Sequence, residues 1–184
     1  MPTLPIELRL GGYFPRHVVA TPEWLNCPAV VDVCSVSRCV SPGPKDWVHL
    51  WLHNGLALFN QPEQARLAVT PDDPAMTVFA YRISTVRFVA GEPEPWAWPE
   101  DAVPVPLPDG FVSLGYDAVQ KSADDILGFE CSPLSCNSVA PEWPVNRHCL
   151  LDDFDTAVDA ARQFSIDQPE PGMYYVAEVF APPV

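Results

Sequence analysis

The stretch Cys131–Cys136, with the sequence CSPLSC, has a counterpart earlier in the chain. Cys34–Cys39, with the sequence CSVSRC, shows the same C-S-x-x-x-C pattern 97 positions before it. Two short motifs are weak evidence of a repeat when they stand alone. A repeat is indicated only if further similarities surround them in the same order.

Such similarities are present on the C-terminal side of both motifs. Trp51–Asn54 (WLHN) and Trp143–Asn146 (WPVN) share a W-x-x-N pattern, 92 positions apart. Two further pairs of segments match, 58–68 with 150–160 at the same offset and 74–83 with 171–180 at an offset of 97. Because the order is kept and the offset changes where loops are expected, the sequence predicts a tandem duplication.

Each half is predicted to follow the order strand, short helix, strand, strand, helix, strand. In the first half we predict strands over 6–14, 30–36, 48–53 with 56–59, and 76–89, and helices after Thr21 and over 60–69. In the second half we predict strands over 111–119, 129–131, 147–151 and 174–180, and helices over 123–127 and 153–164. The expected fold is therefore α+β, with two tandem pseudo-repeats of βαββαβ order, ferredoxin-like units and a mostly antiparallel sheet.

A proline-rich stretch separates the two halves. Residues 91–110 carry prolines at six positions, with Trp96 and Trp98 between them. This composition is typical of a semi-rigid connector, and we expect the two Trp side chains to pack across both halves. The predicted organisation is a first repeat over 1–90, a connector over 91–110 and a second repeat over 111–184, whether the repeats form two domains or one.

Composition and charge exclude several classes of function. The chain has 184 residues and 48% hydrophobic content, enough to fold around a core. The formal net charge is −14, of which residues 93–184 contribute −13, and this charge opposes binding to nucleic acid or to anionic membranes. No secretion signal or membrane-spanning run is recognisable, so we expect a cytoplasmic protein whose six cysteines are thiols.

The first functional hypothesis is a small acidic interaction protein, similar in role to an inhibitor or an immunity protein. Its acidic second half would bind a basic protein partner. The sequence contains no catalytic or nucleotide-binding signature, so enzymatic activity is not the first expectation and no cofactor is predicted outright.

The alternative hypothesis is an enzyme that depends on cysteine or zinc. Cys131 or Cys136, with His148 as a base and Asn146 as an orienting group, offers the residue types of a cysteine nucleophile. Cys131, Cys136, His148 and Cys149 are also candidate ligands of zinc, the cofactor that the sequence leaves open. The four-residue gap between the first two cysteines and the adjacency of His148 and Cys149 argue against a standard zinc motif. Buried thiols are the structural alternative.

A third hypothesis is a small-ligand binding module that uses a cleft between the repeats. Ser35 and Ser132 directly follow cysteines, and Asn54 and Asn146 end the two W-x-x-N patterns. Such side chains line clefts, but they also form turns.

The duplication indicates where activity is to be sought. Features found in both halves are expected to be scaffold, whereas features found in one half are candidates for function. His148 and Cys149 align with Leu56 and Ala57. A site that uses the histidine would therefore not be duplicated.

Overall fold

The structure of the chain is a computed structural model that describes residues 4–41, 43–70, 75–122, 128–137, 139–167 and 172–183. The strands are β1 (Leu8–Arg16), β2 (Val19–Ala20), β3 (Asp32–Val33), β4 (Thr77–Val89), β5 (Glu92–Pro95), β6 (Val112–Lys121) and β7 (Met173–Ala181). The α-helices are α1 (Pro62–Ala68), α2 (Pro133–Cys136) and α3 (Phe154–Asp167), and 3-10 turns lie at Glu23–Leu25, Trp47–Leu50 and Ala140–Glu142. The fold is therefore α+β with a mostly antiparallel sheet and few, short helices, as predicted.

One antiparallel sheet contains the four long strands, in the order β1-β4-β7-β6, and β5 pairs with the end of β4. The central strands β4 and β7 come from the two predicted repeats, and Ala80 lies opposite Phe180 in their register. The long run of β-branched, aromatic and small apolar residues in β7 suits a strand that is buried from Tyr174 to Phe180. The sheet thus joins the two halves through their most buried strands.

Both faces of the sheet are apolar. Successive side chains of a strand point to opposite faces, and in β7 Tyr174 and Val176 belong to the apolar cluster under α3. Tyr175 and Ala177 belong to a second cluster, built largely from β1, β4 and the loops that cover them. Each cluster contains residues from before position 90 and after position 110, so the two halves share their core.

Helix α3 forms where the sequence predicted the longest helix. Its buried residues recur at helical spacing and face the sheet: Ala157, Val158, Ala160, Ala161 and Phe164. The side chain of Asp153 accepts a hydrogen bond from the backbone N–H of Thr156 at 2.8 Å. Asp153 therefore caps the helix, one residue later than predicted, because its carboxylate reaches the free N–H groups of the first turn.

Two asparagine-centred turns have the same hydrogen bonds in the two halves. The Asn54 amide donates to the Gly11 carbonyl and its oxygen accepts from the backbone N–H groups of Leu56 and Leu58. The Asn146 amide donates to the Leu114 carbonyl and its oxygen accepts from the N–H groups of the residues two and four positions later. Both asparagines therefore close a turn through their side chains, which is common for this residue type.

Each of these turns packs against a bulge in a long strand. The register of β1 shifts between Leu10 and Gly12, and that of β6 shifts between Ser113 and Gly115. Both glycines have positive φ, and a Cβ atom would lie 2.5 Å from the Phe59 carbonyl oxygen at the first and 2.7 Å from a carbonyl oxygen at the second. Glycine is required at both positions because the backbone of the turn approaches the strand so closely.

The connector folds back onto the sheet. Its first residues form β5, and the Trp96 indole N–H donates to the Ser84 carbonyl at 2.9 Å. The same ring packs edge-on against Tyr175 of β7, 5.1 Å between centroids, and lies beside Trp98. Trp96 therefore contacts both halves, as expected.

Several predicted elements differ from the structure. The strand predicted over 30–36 is reduced to β3, and the one predicted over 48–53 is a 3-10 turn at Trp47–Leu50, because Asp46 and Trp51 adopt positive φ and interrupt extended backbone. The strand predicted over 147–151 keeps only isolated bridges, because the Asn146 turn bends it. The βαββαβ order is therefore not reproduced by the described elements. The helix predicted over 123–127 lies outside the described residues.

Candidate functional site

Two groups of metal-binding or nucleophilic side chains come together in the described part of the chain. Asp32, Cys34 and His148 form the first, and three cysteines form the second: Cys39, Cys131 and Cys136. Within each group the potential ligand atoms all lie within 4.8 Å of one another. Each group combines residues from both halves. The predicted set is thereby divided, since His148 lies with first-half residues and not with Cys131 and Cys136.

Backbone hydrogen bonds hold the two parts of the first group together. The N–H groups of Val31 and Asp32 donate to the Arg147 carbonyl at 2.8 and 3.1 Å, and the N–H of Cys34 donates to the His148 carbonyl at 3.1 Å. The segment around β3 thus runs beside residues 147–148. This pairing brings side chains together that are 116 positions apart in sequence.

All three side chains of the first group approach one point. Asp32 Oδ1 lies 2.6 Å from His148 Nδ1, and Cys34 Sγ lies 3.4 Å from the same carboxylate oxygen and 4.0 Å from the same ring nitrogen. Cys34 is buried, whereas Asp32 and His148 are partly exposed. Burial raises the pKa of Cys34, and the neighbouring Asp32 carboxylate raises it further.

This geometry does not match a nucleophile–histidine–acid relay. Such a relay uses both ring nitrogens, one toward the nucleophile and the other toward the acid. Here Cys34 and Asp32 both approach Nδ1 of His148. A thiol with a raised pKa is also a poor nucleophile at neutral pH. Convergence of sulfur, nitrogen and oxygen donors on one point is instead what a transition-metal ion requires.

The first group opens into a groove of about 500 Å³. The walls are mostly apolar and include Phe79, Leu114 and Pro182, while Arg147 contributes a positive charge next to His148. A groove of this size can hold a small molecule. Asp32, Cys34 and His148 all line it, so a ligand in the groove would contact them.

The two remaining candidates of the predicted site have structural surroundings. Asn146 accepts a hydrogen bond from the backbone N–H of His148 at 2.9 Å, so it helps to position the histidine, and it does not line the groove. Cys149 is buried, has positive φ and donates to the Leu134 carbonyl at 3.5 Å. Burial, with a smaller effect of Asp117, raises the pKa of Cys149 to about 12. Cys149 belongs to neither group among the described residues.

The second group lies where the two C-S-x-x-x-C motifs meet. Cys136 ends the four-residue helix α2, Cys131 forms an isolated bridge with Gln120, and Cys39 is exposed in a turn. Contact with the Cys131 thiol outweighs burial and, with help from Cys39, lowers the pKa of Cys136 to about 6.

A buried carboxylate ties the two motifs together. Asp117 of β6 accepts hydrogen bonds from the hydroxyls of Ser35 and Ser132, each at 2.5 Å. These are the serines that follow the first cysteine of each motif. Burial outweighs these two bonds and raises the pKa of Asp117 to about 7. The two serines therefore link both motifs to β6, and the small-ligand role of a cleft beside them stays a prediction.

Sequence reasoning missed three members of the two groups. Asp32, Cys34 and Cys39 were not proposed as ligands, although the duplicated motif contained two of them. The available signal was the motif itself, since each half supplies one copy and both copies approach the same carboxylate.

The described residues form no helix that is long and apolar enough to cross a membrane. Comparison of the chain with protein-family models, with curated proteins and with solved structures finds no match.

Proposed function

We propose that the chain binds zinc through Asp32, Cys34 and His148 and uses it on a small anionic substrate held in the adjoining groove. The observation that carries this proposal is the convergence of one oxygen, one sulfur and one nitrogen donor at separations of 2.6 to 4.0 Å. This convergence favours the zinc-dependent alternative over an interaction protein without a cofactor. The ligands that join His148 are then Asp32 and Cys34, in place of Cys131 and Cys136.

The donor separations are close to those of a metal site. Around a tetrahedral zinc ion with bonds of about 2.0–2.3 Å, ligand atoms lie about 3.3–3.8 Å apart. To bind zinc, the distance between the Asp32 carboxylate and the His148 ring would have to increase by less than about 1 Å. The distance between the Cys34 sulfur and the same ring would have to decrease by less than about 1 Å. Rotation of the partly exposed His148 and Asp32 side chains covers such distances, so the residues present fit the ion.

Three protein ligands leave one position of a tetrahedron open, as in catalytic zinc sites. When bound in such a site, zinc supplies a Lewis acid and lowers the pKa of a bound water molecule. The chain's own contribution is to bind and orient the substrate. Arg147 lines the same groove and offers a guanidinium group, which binds carboxylate or phosphate groups in two-point contacts. Because Arg147 and the three proposed zinc ligands line one groove, we expect the substrate to carry a negative charge.

Zinc titration of the reduced protein by calorimetry tests the proposal, in a background of Cys39→Ser and Cys136→Ser that removes the second group. We expect one zinc ion per chain, and a loss of affinity greater than about 100-fold for His148→Ala, because a ligand is removed. His49→Ala is the matched control, since His49 is exposed and lies outside both groups. Equal zinc binding by His148→Ala and the control would overturn the proposal.

The anion is tested separately, with cobalt in place of zinc and inorganic phosphate as the probe. Phosphate is expected to change the visible spectrum of the cobalt protein in the parent chain and to have a weaker effect on Arg147→Gln. An unchanged response in Arg147→Gln would leave the zinc site in place but remove the assignment of the substrate as an anion bound by this residue.

We also propose that the two halves arose by duplication. In support, Asn54 and Asn146 lie 92 positions apart and make the same set of turn contacts, and Gly12 and Gly115 occupy equivalent bulges. The zinc site would then have arisen after the duplication, because the second half contributes His148 where the first half has Leu56.

A basic protein partner remains a second proposal. It is supported by the charge of −13 over residues 93–184 and by the exposed acidic residues Asp152, Asp153 and Asp155 at the start of α3. A partner that co-purifies from the native host should be released by salt and by Asp152→Lys with Asp155→Lys. Glu63→Lys on α1 is the control, and equal loss with this variant would contradict the assignment.

A further inference from the structure

A second set of donors lies outside the proposed zinc site. Cys39, Cys131 and Cys136 place three sulfur atoms within 4.8 Å of one another. The set contains no oxygen or nitrogen donor, which distinguishes it from the group at His148. Two of the thiols belong to the second motif and one, Cys39, belongs to the first. Core packing does not explain why they meet, because Cys39 is exposed.

The two segments that carry these thiols are held together by neighbouring contacts. Arg38, next to Cys39, pairs with Glu130, next to Cys131, at 3.0 Å. The backbone N–H of Arg38 also donates to the Phe129 carbonyl at 3.1 Å. These contacts hold the two motifs against each other on the side that faces solvent.

The buried side of the same junction is fixed as well. Asp117 accepts hydrogen bonds from Ser35 and Ser132, one from each motif. The backbone N–H of Cys136 donates to the Ser132 carbonyl at 2.8 Å, which holds the α2 turn closed. Contacts outside the three thiols therefore hold the two segments together, so the arrangement of the sulfur atoms is preorganised.

We propose that Cys39, Cys131 and Cys136 bind a soft, thiophilic metal cation as three thiolates. Thiolates select soft cations such as monovalent copper, and they bind zinc and its heavier congeners as well. Sulfur atoms around one such ion lie about 3.8 Å apart when the bonds are about 2.3 Å. The three sulfur atoms lie within 4.8 Å of one another, so they would have to move closer by only about 1 Å to bind one ion. The exposed Cys39 gives the ion a route of entry from solvent.

This site does not depend on the proposed zinc site. The donors belong to a different group, and the supporting contacts of Arg38 and Asp117 are not those that hold residues 31–34 against 147–148. Failure of one proposal therefore leaves the other intact.

Cadmium is the probe, added to the fully reduced, full-length chain without oxygen. We expect a thiolate-to-cadmium absorption band in the ultraviolet that saturates at this site, with affinity at least about tenfold lower in Cys136→Ser and in Cys39→Ser. Cys27→Ser is the matched control, because Cys27 is partly exposed and lies outside both groups. The titration is made in a background of Cys34→Ser, because Cys34 is the thiol of the proposed zinc site and would add a band of its own.

A measurement on the unmodified chain guards against variants that fail to fold. Alkylation followed by mass spectrometry should show Cys39, Cys131 and Cys136 protected by cadmium and Cys27 unprotected. Failure of cadmium to protect Cys39 and Cys136, or a band that survives in both serine variants, would overturn the proposal.

Discussion

Asp117 is the residue on which the two motifs depend. It is fully buried, and its carboxylate accepts hydrogen bonds from one serine of each motif. A buried carboxylate that is not paired with a cation is costly when ionised. Between the ordinary pKa of 3.8 and the raised pKa of about 7, the folded chain therefore holds a proton on Asp117 that the unfolded chain has lost.

Asp117→Asn is expected to change how stability depends on pH. Because the folded pKa lies above the ordinary value of 3.8, this group's contribution to stability is fully present at low pH and is lost as the pH rises toward about 7. The loss is on the order of 4 kcal/mol, at ~1.4 kcal/mol for each pH unit of difference. The titratable groups facing Asp117 are Cys136, Cys149 and Tyr81.

The measurement is urea unfolding of both proteins from pH 4 to pH 8. The chain with Asp117 should lose free energy of unfolding relative to Asp117→Asn as the pH rises, while the facing groups are the same in both. Parallel curves across this range would show that the carboxylate is ionised throughout.

At the scale of elements, the asparagine turns connect the fold to the site. Each turn holds a loop against a bulged strand, and the Asn146 turn also orients the backbone of His148. The Asn54 turn makes the same contacts, but the residue at the position equivalent to His148 is Leu56, which cannot bind a metal ion. Comparing variants of the two turns therefore distinguishes an effect on folding from an effect on the proposed zinc site.

Asn146→Ala and Asn54→Ala form a matched pair. Each leaves two backbone N–H groups without their acceptor, and we expect each to lower the free energy of unfolding by about 1–3 kcal/mol. Only Asn146→Ala should also weaken zinc binding, by about tenfold or more, because the turn that positions His148 is lost. Zinc calorimetry and urea unfolding check the two effects, and equal zinc affinity in both variants would contradict a positioning role for Asn146.

At the scale of the whole molecule, the two halves share one sheet and the apolar clusters on both of its faces. β4 and β7 are its central strands, and both apolar clusters take residues from each half. Separating the halves would expose the inner edge of β4 and the inner edge of β7. Units that share buried surface in this way unfold together.

Hydrogen exchange at increasing denaturant tests this cooperativity. The amides of β1 and β4 in one half and of β6 and β7 in the other should converge on one free energy of opening. Asn54→Ala, which alters the first half alone, should lower protection in both halves by the same amount. Loss of protection confined to the first half would show that the halves unfold independently.

The long elements could be read from the sequence because local patterns specify them. β1, β4, β6, β7, α1 and α3 lie within a few residues of their predicted positions, since strand alternation, helical spacing and helix-start residues act over short distances. The short elements between them were predicted less well. Positive φ at Asp46, Trp51 and Cys149 bends segments whose composition favours strands.

What the sequence by itself determined is the α+β class, the long strands and helices, and two cysteine motifs in matching positions. Only the tertiary structure decided which cysteines meet. His148 is bound to Asp32 across 116 positions, and Cys39 joins Cys131 and Cys136 through the contacts of Asp117 and of Arg38. The physical reason is that a group of ligands forms by strand pairing and burial between distant segments, and the composition of neither segment alone encodes that pairing.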